Sequence, residues 1–595
     1  MNRLTMIMAV LGASALTPVF AADVVPAPDK SGMELTAQEW NKSVIAGWNL
    51  GNSLESAPSG WDGNSTSIGW QEAYDTGETG WGNPKTTKAM IDAVKAAGFN
   101  AVRIPVRWAC HITDVETMTI SEAWLARVKE VVDYCIDNDM YVIINTHHDM
   151  WLEYQPIYDK QKENNKHLTD LWTQVANYFG DYDGHLAFAG TNEVHIKDNW
   201  STQTAENLAV QNSYNQTFVD AVRATGGKNA YRNLIVQTYR CDAYNGFTNL
   251  VIPTDPVEEN GLERMSVEFH YYNPYDYCSG ANGYNYWGTE YKNKGYKTCN
   301  DNEKTMTNFL DRVTNTWASK GLGIVIGEWG ISDRWTSEED KESIHENMTY
   351  YCKYFISETR KRGFSTFVWD NNSFGSGSEK YGVFERRNNM NQRASWIVKG
   401  IMEGAGQEYV EPEPLPEPDP KDDPYAGVGK VLWSGSGYMS WGDGLQQLLS
   451  GSDFSDFKSD SKILFYYTLD PAAEYRMIQF FFGDWSGNPQ LIFEGTADKQ
   501  FDLSEINSGD VSGSYITALS ISDSDLKTIK LKGLMVQGFG ATLTGVRIVS
   551  AEDLAVESIS LQDADMPLYD LFGRKVNSPE SQQIYIKGSR KVFAQ

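Results

Sequence analysis

Two carboxylates in this sequence stand just where short apolar runs stop. Glu193 follows a run that ends in Ala189-Gly190, and Glu328 follows the run 323–327, GIVIG. The ends of similar runs carry Asn49 and Asn52, Arg103, His147 with His148 and Asp149, Asn192, His270 and Tyr272, and Trp369 with Asp370. Two carboxyl groups facing each other across a sugar are the minimal apparatus for breaking a glycosidic bond. One must be held protonated to donate to the leaving oxygen, and the other must stay ionised to attack the anomeric carbon. Each residue alone has a plainer reading. With 79 acidic residues some reach strand ends by chance, and a lone tryptophan is more often core than sugar platform. His147 and His148, adjacent on a strand, would point to opposite sides, which argues against a shared metal. The set is what counts, because residues from six runs would all have to be misplaced together.

Side chains that converge must be carried by elements that end together. The apolar or β-branched runs are 44–50, 101–105, 141–146, 186–190, 234–238, 266–271, 323–327 and 365–369. Between them lie helix-like segments. Asn83-Pro84 precedes TTKAMIDAVKAAG, where Pro84 suits a first helical turn and Gly98 a C-terminal cap. Segments 121–138, 205–225 and 337–361 have apolar positions three or four apart. Eight strands spaced by about 40 residues with helices between them predict an α/β fold, a (β/α)8 TIM barrel, with a doubly wound sheet as the alternative. In the barrel, the C-terminal ends of different strands meet at one site.

Composition narrows the ligand. The 595 residues include 19 Trp, 32 Tyr and 24 Phe, more rings than packing demands, and carry a formal charge of -28. Such a charge repels phosphate backbones and anionic lipid, so nucleic acid and membrane surfaces are poor partners. An uncharged polysaccharide that stacks on aromatic faces fits both facts. Residues 1–21 read as a cleavable signal peptide, with Arg3, an apolar run and Val19-Phe20-Ala21 before the cleavage point, so a secreted or cell-surface location is expected. No later stretch is long and apolar enough for a membrane-spanning segment. The six cysteines match no zinc pattern, and Cys278 with Cys299 form the one pair proposed as a bridge, beside six independent core thiols.

Residues 411–424, EPEPLPEPDPKDDP, hold six of the 20 prolines and six acidic residues. This is an extended, charge-stiffened linker, able to hold two domains apart by up to roughly 40 Å. Beyond it, residues 427–552 run in short alternating stretches such as KILFYYTL, RMIQFFFG and TIKLKGLMV, which read as a smaller all-β sandwich. Trp433, Tyr438, Trp441 and Trp485 are its candidates for a flat binding face, against the plainer reading that these rings fill the core. Residues 556–595 form a distinct tail with two strand-like pieces.

The motifs GWNLGNSLE (47–55), WGNPKTT (81–87), GFNAVRIPVRW (98–108), VIINTHHD (142–149), AGTNEVH (189–195), EFHYYNP (268–274), IGEWG (326–330) and FVWDN (367–371) closely resemble glycoside hydrolase family 5, most of all its subfamily 4 endoglucanases and xyloglucanases. The resemblance spans about residues 35–405. It implies endo-acting cleavage of β-1,4-glucan with retention, without cofactor or metal, by a monomer. Glu193 is then the general acid/base and Glu328 the nucleophile. Asn49, Arg103, His147, His148, Asn192, His270, Tyr272 and Trp369 bind substrate: Arg103 and Asn192 hold the nucleophile and the sugar 2-hydroxyl, Tyr272 lies near the nucleophile, and Trp369 stacks under the sugar. Alternatives are a β-mannanase or a non-catalytic glycan-capture protein. Ala189 stands where the family usually has glutamate, Val194-His195 where it has Pro-Arg, and GEWG where GEFG is commoner. The region 427–552 weakly resembles accessory carbohydrate-binding modules, and 556–595 resembles the sorting tails of exported Bacteroidetes proteins.

Overall fold

The computed structural model describes residues 25–410, apart from 59, 70–76, 280–282, 336 and 387–389, and residues 429–550, apart from 441–443 and several short stretches of which 503–513 is the longest. Beyond 550 it describes five short strands. The signal segment 1–21, the linker 411–424 and Trp441 lie outside the described residues.

Eight parallel strands close into a barrel in chain order: β1 (Gly47–Asn49), β2 (Ala101–Ile104), β3 (Tyr141–Asn145), β4 (Leu186–Ala189), β5 (Leu234–Gln237), β6 (Met265–Tyr271), β7 (Gly323–Trp329) and β8 (Ser365–Val368). The seam pairs β1 with β8, Gly47 opposite Phe367 and Trp48 opposite Val368. Every expected strand is present, and β7 runs two residues further than the apolar run, taking Glu328 and Trp329 into the strand.

Each helix buries one stripe. Glu122–Ile136 buries Trp124, Leu125, Val128, Val131, Val132 and Cys135, the three-and-four spacing of a helix lying on a sheet. Helices Ala205–Ala224 and Glu338–Lys361 start on capping boxes at Thr204 and Ser337. The helix expected from Pro84 instead starts at Lys88 after Thr87, with Thr86 N–H held by Glu78. The packed layer between strands and helices is the main core, whereas Trp40, Ala101, Ile143, Ala189, Ile235, Val325 and Phe367 form a separate plug inside the barrel.

The second domain is an antiparallel β-sheet structure around its own core of Leu432, Trp433, Phe465, Phe480, Leu534 and neighbours. Its organising element is the 16-residue strand Leu534–Val549, which pairs with Lys430–Ser440 and Lys462–Leu469 over its second half and with Met477–Phe482 over its first. The run read as one strand, TIKLKGLMV, is divided. Residues Asp523–Lys532 are helical behind the Ser522 cap, Gly533 turns with φ 84°, and the strand begins at Leu534. Trp433 is core, while Tyr438 and Trp485 are exposed. The two domains touch: Arg393, on the barrel side, bonds Asp453 and Ser452.

All six cysteines are free and buried, which removes the proposed Cys278–Cys299 bridge. Cys278 Sγ instead donates to Tyr351 Oη at 3.6 Å, and Cys299 Sγ to the Asp301 carbonyl at 3.3 Å. In the tail, Ile584–Lys587 and Arg590–Ala594 form a hairpin onto which Val556–Ile559 adds in parallel. Among the described residues no helix is long and apolar enough to cross a membrane.

Candidate active site

Strand alternation decides which side chains enter the barrel mouth. On β2 Ala101 points into the interior plug, so Arg103, two residues on, does too. On β6 the same rule aligns Ser266, Glu268 and His270. On β7 it would send Gly327 inward and Glu328 outward, but a bulge intervenes. Phe269 pairs with Ile326 and His270 with Glu328, so Gly327 is the extra residue, and β8 shows the same slip. Bulges commonly re-aim a side chain beside an active site. This one turns Glu328 to the mouth.

Arg103, fully buried, is the hub. Its Nη1 donates to Glu328 Oε1 and to Asn49 Oδ1, each at 3.0 Å, and its Nη2 to Asn192 Oδ1 at 3.0 Å. Tyr272 Oη donates to Glu328 Oε2 at 3.0 Å. Both oxygens of Glu328 are therefore held by charged or hydroxyl donors. That fixes the carboxylate in place.

Glu193 follows β4 in the left-handed region, φ 43°, as His148 does after the neighbouring β3, φ 58°. Such backbone is costly for non-glycine residues and persists where the surroundings enforce it. Glu193 Oε1 lies 2.6 Å from His270 Nδ1, and that nitrogen is 3.6 Å from Glu328 Oε2. One ligand-type atom from each of Glu193, His270 and Glu328 falls within 4.8 Å of the others. A divalent cation could take such a trio, but Arg103 already supplies the positive charge beside Glu328, and the short Glu193–His270 contact needs a shared proton. Burial acts to raise the Glu193 pKa, yet the hydrogen bond and charge of His270, with His195 and His148, hold it below the usual carboxylate value. Burial disfavours charge on His270, but Cys241, Glu328 and Glu193 hold its pKa well above that of free histidine. The pair keeps one proton between a carboxylate and an imidazole, poised for transfer to an oxygen above.

His147 is buried and its ring lies parallel to Trp369, centroids 5.9 Å apart. Burial, then the charges of His148 and Arg103, drive its pKa well below normal, so it is a neutral wall. His148 crosses it edge-on at 4.4 Å and reaches the exposed Trp81. Trp369 lies over Gly51, where a Cβ would meet its ring at 2.9 Å. A glycine at that point is what lets the indole lie flat.

The structure brings all ten expected residues together but divides their work. Asn49 and Arg103 have no exposed surface, so neither offers atoms to a sugar. Asn49 ties Arg103 to the barrel wall through the carbonyls of Gly327 at 2.9 Å and Phe367 at 3.1 Å. Asp149 and Asp370, also noted at strand ends, are structural: Asp149 accepts from the Trp108 and Ala109 amides, and Asp370 from Trp48 Nε1 and the Phe384 amide. Sequence reading missed Glu268 and Gln237 inside the barrel, though stepping back by two from His270 would have found the first. It also missed Glu153, buried beside Glu193, and the exposed Trp200, whose ring lies tilted against His195 with centroids 3.8 Å apart. Loop residues carry no period by which to place them.

Comparisons with known proteins bear on the family and the fold. Residues 54–375 match the sequence profile of Cellulase (glycosyl hydrolase family 5). The cellulase/esterase CelE of Acetivibrio thermocellus is 35% identical over 440 residues, 70% of this chain and 47% of that protein, so the chain spans about half the length of this relative. The xyloglucan-specific endo-beta-1,4-glucanase BoGH5A of Bacteroides ovatus is 35% identical over 364 residues, 60% of this chain and 69% of that protein. Among solved structures, a Bacteroides ovatus GH5 xyloglucanase in complex with a XXXG heptasaccharide superposes with a TM-score of 0.58 at 33% identity, covering 65% of this chain and 80% of that one. A GH5-4 broad specificity endoglucanase from Clostridium longisporum gives 0.54 at 32% identity, over 62% and 98%. With its profile matched over more than half of the chain and its two carboxylates seated at the mouth of the barrel, this chain belongs to glycosyl hydrolase family 5.

Proposed function

We propose that the chain is an endo-acting β-1,4-glucanase that works with retention of configuration, outside the cytoplasm, on branched or mixed-linkage glucans such as xyloglucan. The observation that carries the retaining reading is the closeness of Glu193 and Glu328, with carboxylate oxygens within 4.8 Å. Retaining enzymes need about 5 to 5.5 Å between carboxyl groups, and inverting ones about 6.5 to 9.5 Å, to admit a water. In the first step a Glu328 oxygen bonds to the anomeric carbon as the bond to the leaving oxygen breaks, and Glu193 gives that oxygen its proton. In the second, Glu193 takes a proton from water, whose oxygen displaces Glu328 and restores both groups. The exposed rings of Trp81 and Trp200 support an open cleft suited to branched chains, and the named activities of the relatives point the same way. NMR of the first product from a soluble glucan should show the β-anomer; an initial α-anomer defeats the reading. A panel of xyloglucan, mixed-linkage glucan, carboxymethyl-cellulose and mannan tests the substrate. Export is supported by residues 1–21, and sequencing of the mature protein should begin at Ala22.

A further inference from the structure

We propose that Glu268 is a positioning residue of this site: it balances the charge of Arg103 from below, so that Glu328 remains a free nucleophile and the Glu193–His270 pair keeps its proton. The inference rests on the reading of Glu328 as nucleophile. Glu268 sits in the middle of β6 with no exposed surface, far from where a strand-end carboxylate would serve chemistry. Its Oε1 lies 3.2 Å from Arg103 Nε and 3.7 Å from His270 Nε2, and its Oε2 accepts from Gln237 Nε2 at 2.8 Å. Arg103 Nε and Glu268 Oε1 face each other without hydrogen-bond alignment. Their contact is one of charges, not of a directed bond.

The backbone is shaped around this carboxylate. A Cβ on Gly327 would fall 1.8 Å from Glu268 Oε1, so the bulge residue that re-aims Glu328 must be glycine to leave Glu268 its place. Burial alone would protonate Glu268, but Arg103, His270 and Gln237 together hold its pKa below the ordinary value, so it stays ionised. Arg103 therefore faces two carboxylates, Glu328 on one edge and Glu268 on another. Were Glu268 neutral, the whole charge of a buried guanidinium would fall on Glu328, stabilising it as a spectator and weakening its attack. The imidazolium of His270 would lose an anion 3.7 Å away, and the proton it shares with Glu193 would leave at lower pH.

The test is Glu268→Gln, nearly isosteric and uncharged, compared with wild type on 2,4-dinitrophenyl β-cellobioside and on a soluble glucan across pH. Expected are a cooperative melt, kcat lowered at least about tenfold with KM little changed, and an alkaline limb of kcat/KM moved down by about one pH unit. A pH profile that superposes on wild type, whether or not kcat falls with the folded fraction, overturns the proposal, because a purely structural role would not move a titration. Should Glu268→Gln fail to fold, Glu268→Asp, which keeps the charge, must fold and keep the wild-type limb; its loss would make Glu268 a folding residue and likewise overturn the idea. Glu328→Gln serves as control. Turnover surviving there would refute the nucleophile reading itself, a result distinct from failure at Glu268.

Discussion

Asn49 offers the sharpest separation between binding a sugar and holding the group that does. Its Oδ1 accepts from Arg103 Nη1 at 3.0 Å, and its Nδ2 serves the carbonyls of Gly327 and Phe367. Asn49→Ala removes one hydrogen bond to a charged group, worth about 1.5 to 3 kcal/mol, and leaves buried carbonyls without their donor at about 1 to 3 kcal/mol. Together with a small cavity, the fold should lose roughly 3 to 5 kcal/mol. Arg103 would then be steered only by Glu328, Asn192 and Glu268. If about 2 kcal/mol of the charge-assisted term is felt at the transition state, kcat falls about 30-fold. KM on cellotetraose or an aryl cellobioside should stay within about twofold, since no atom of Asn49 reaches substrate. Urea unfolding and steady-state kinetics read both numbers. A raised KM with unchanged kcat would refute the reasoning and return Asn49 to the sugar.

Other expectations follow from the same geometry. Glu193→Ala should cost about 10²- to 10⁴-fold on glucan, where the leaving oxygen needs a proton, while a dinitrophenyl glycoside still reacts with Glu328 at near wild-type rate in single-turnover measurements. Burial, then the charge of Glu193, pushes the Glu153 pKa up to about 8. A carboxyl raised in this way stabilises the fold below its unfolded pKa and loses that contribution as pH rises through the folded value. Glu153→Gln should therefore match wild type in thermal melts near pH 4 and exceed it near pH 9. Burial pushes the thiols of Cys110, Cys278 and Cys299 up to about 12 and that of Cys241 to about 11, so iodoacetamide should label no cysteine in the native protein and all six in urea, by mass spectrometry. A chain ended at Gly406 loses the Asp453 partner of Arg393, so its melting point should drop, while kcat/KM on soluble oligosaccharides stays within about twofold and polymer binding weakens.

The sequence was most readable where one period governs. Hydrophobic runs located all eight strands, and the polar residues just past their ends included Glu193, Glu328, His147, Asn192 and Tyr272, because strand ends converge in a barrel whatever the loops do. It was less readable where an irregularity overrides the period. Simple alternation would have sent Glu328 outward, and only the bulge at Gly327 brings it in. Asn49 reads as a strand-end binder, but depth along the barrel axis, set by strand stagger, leaves it under the site and not in it. The proposed Cys278–Cys299 bridge rested on a shared loop, and proximity in sequence says nothing of where two Cβ atoms point. The Asp523–Lys532 helix was hidden because Ile529 and Leu531, two apart and alternating with Lys530 and Lys532, also fit a short strand.

The hub at Arg103 has a consequence for how the protein acquires activity. Arg103 on β2 is joined to Glu328, 225 positions away, and Asn49 on β1 to the Phe367 carbonyl, 318 positions away. Those partners are among the last parts of the barrel to leave the ribosome. Contacts of such sequence separation are slow to form, since loop-closure entropy must be met before they reward it. No fragment that stops short of β8 can seat the arginine, so turnover reports closure of the whole ring. Recovery of hydrolysis during refolding should accordingly lag behind the return of helical circular dichroism, and the enzyme's own reaction becomes the probe for the last event of its folding.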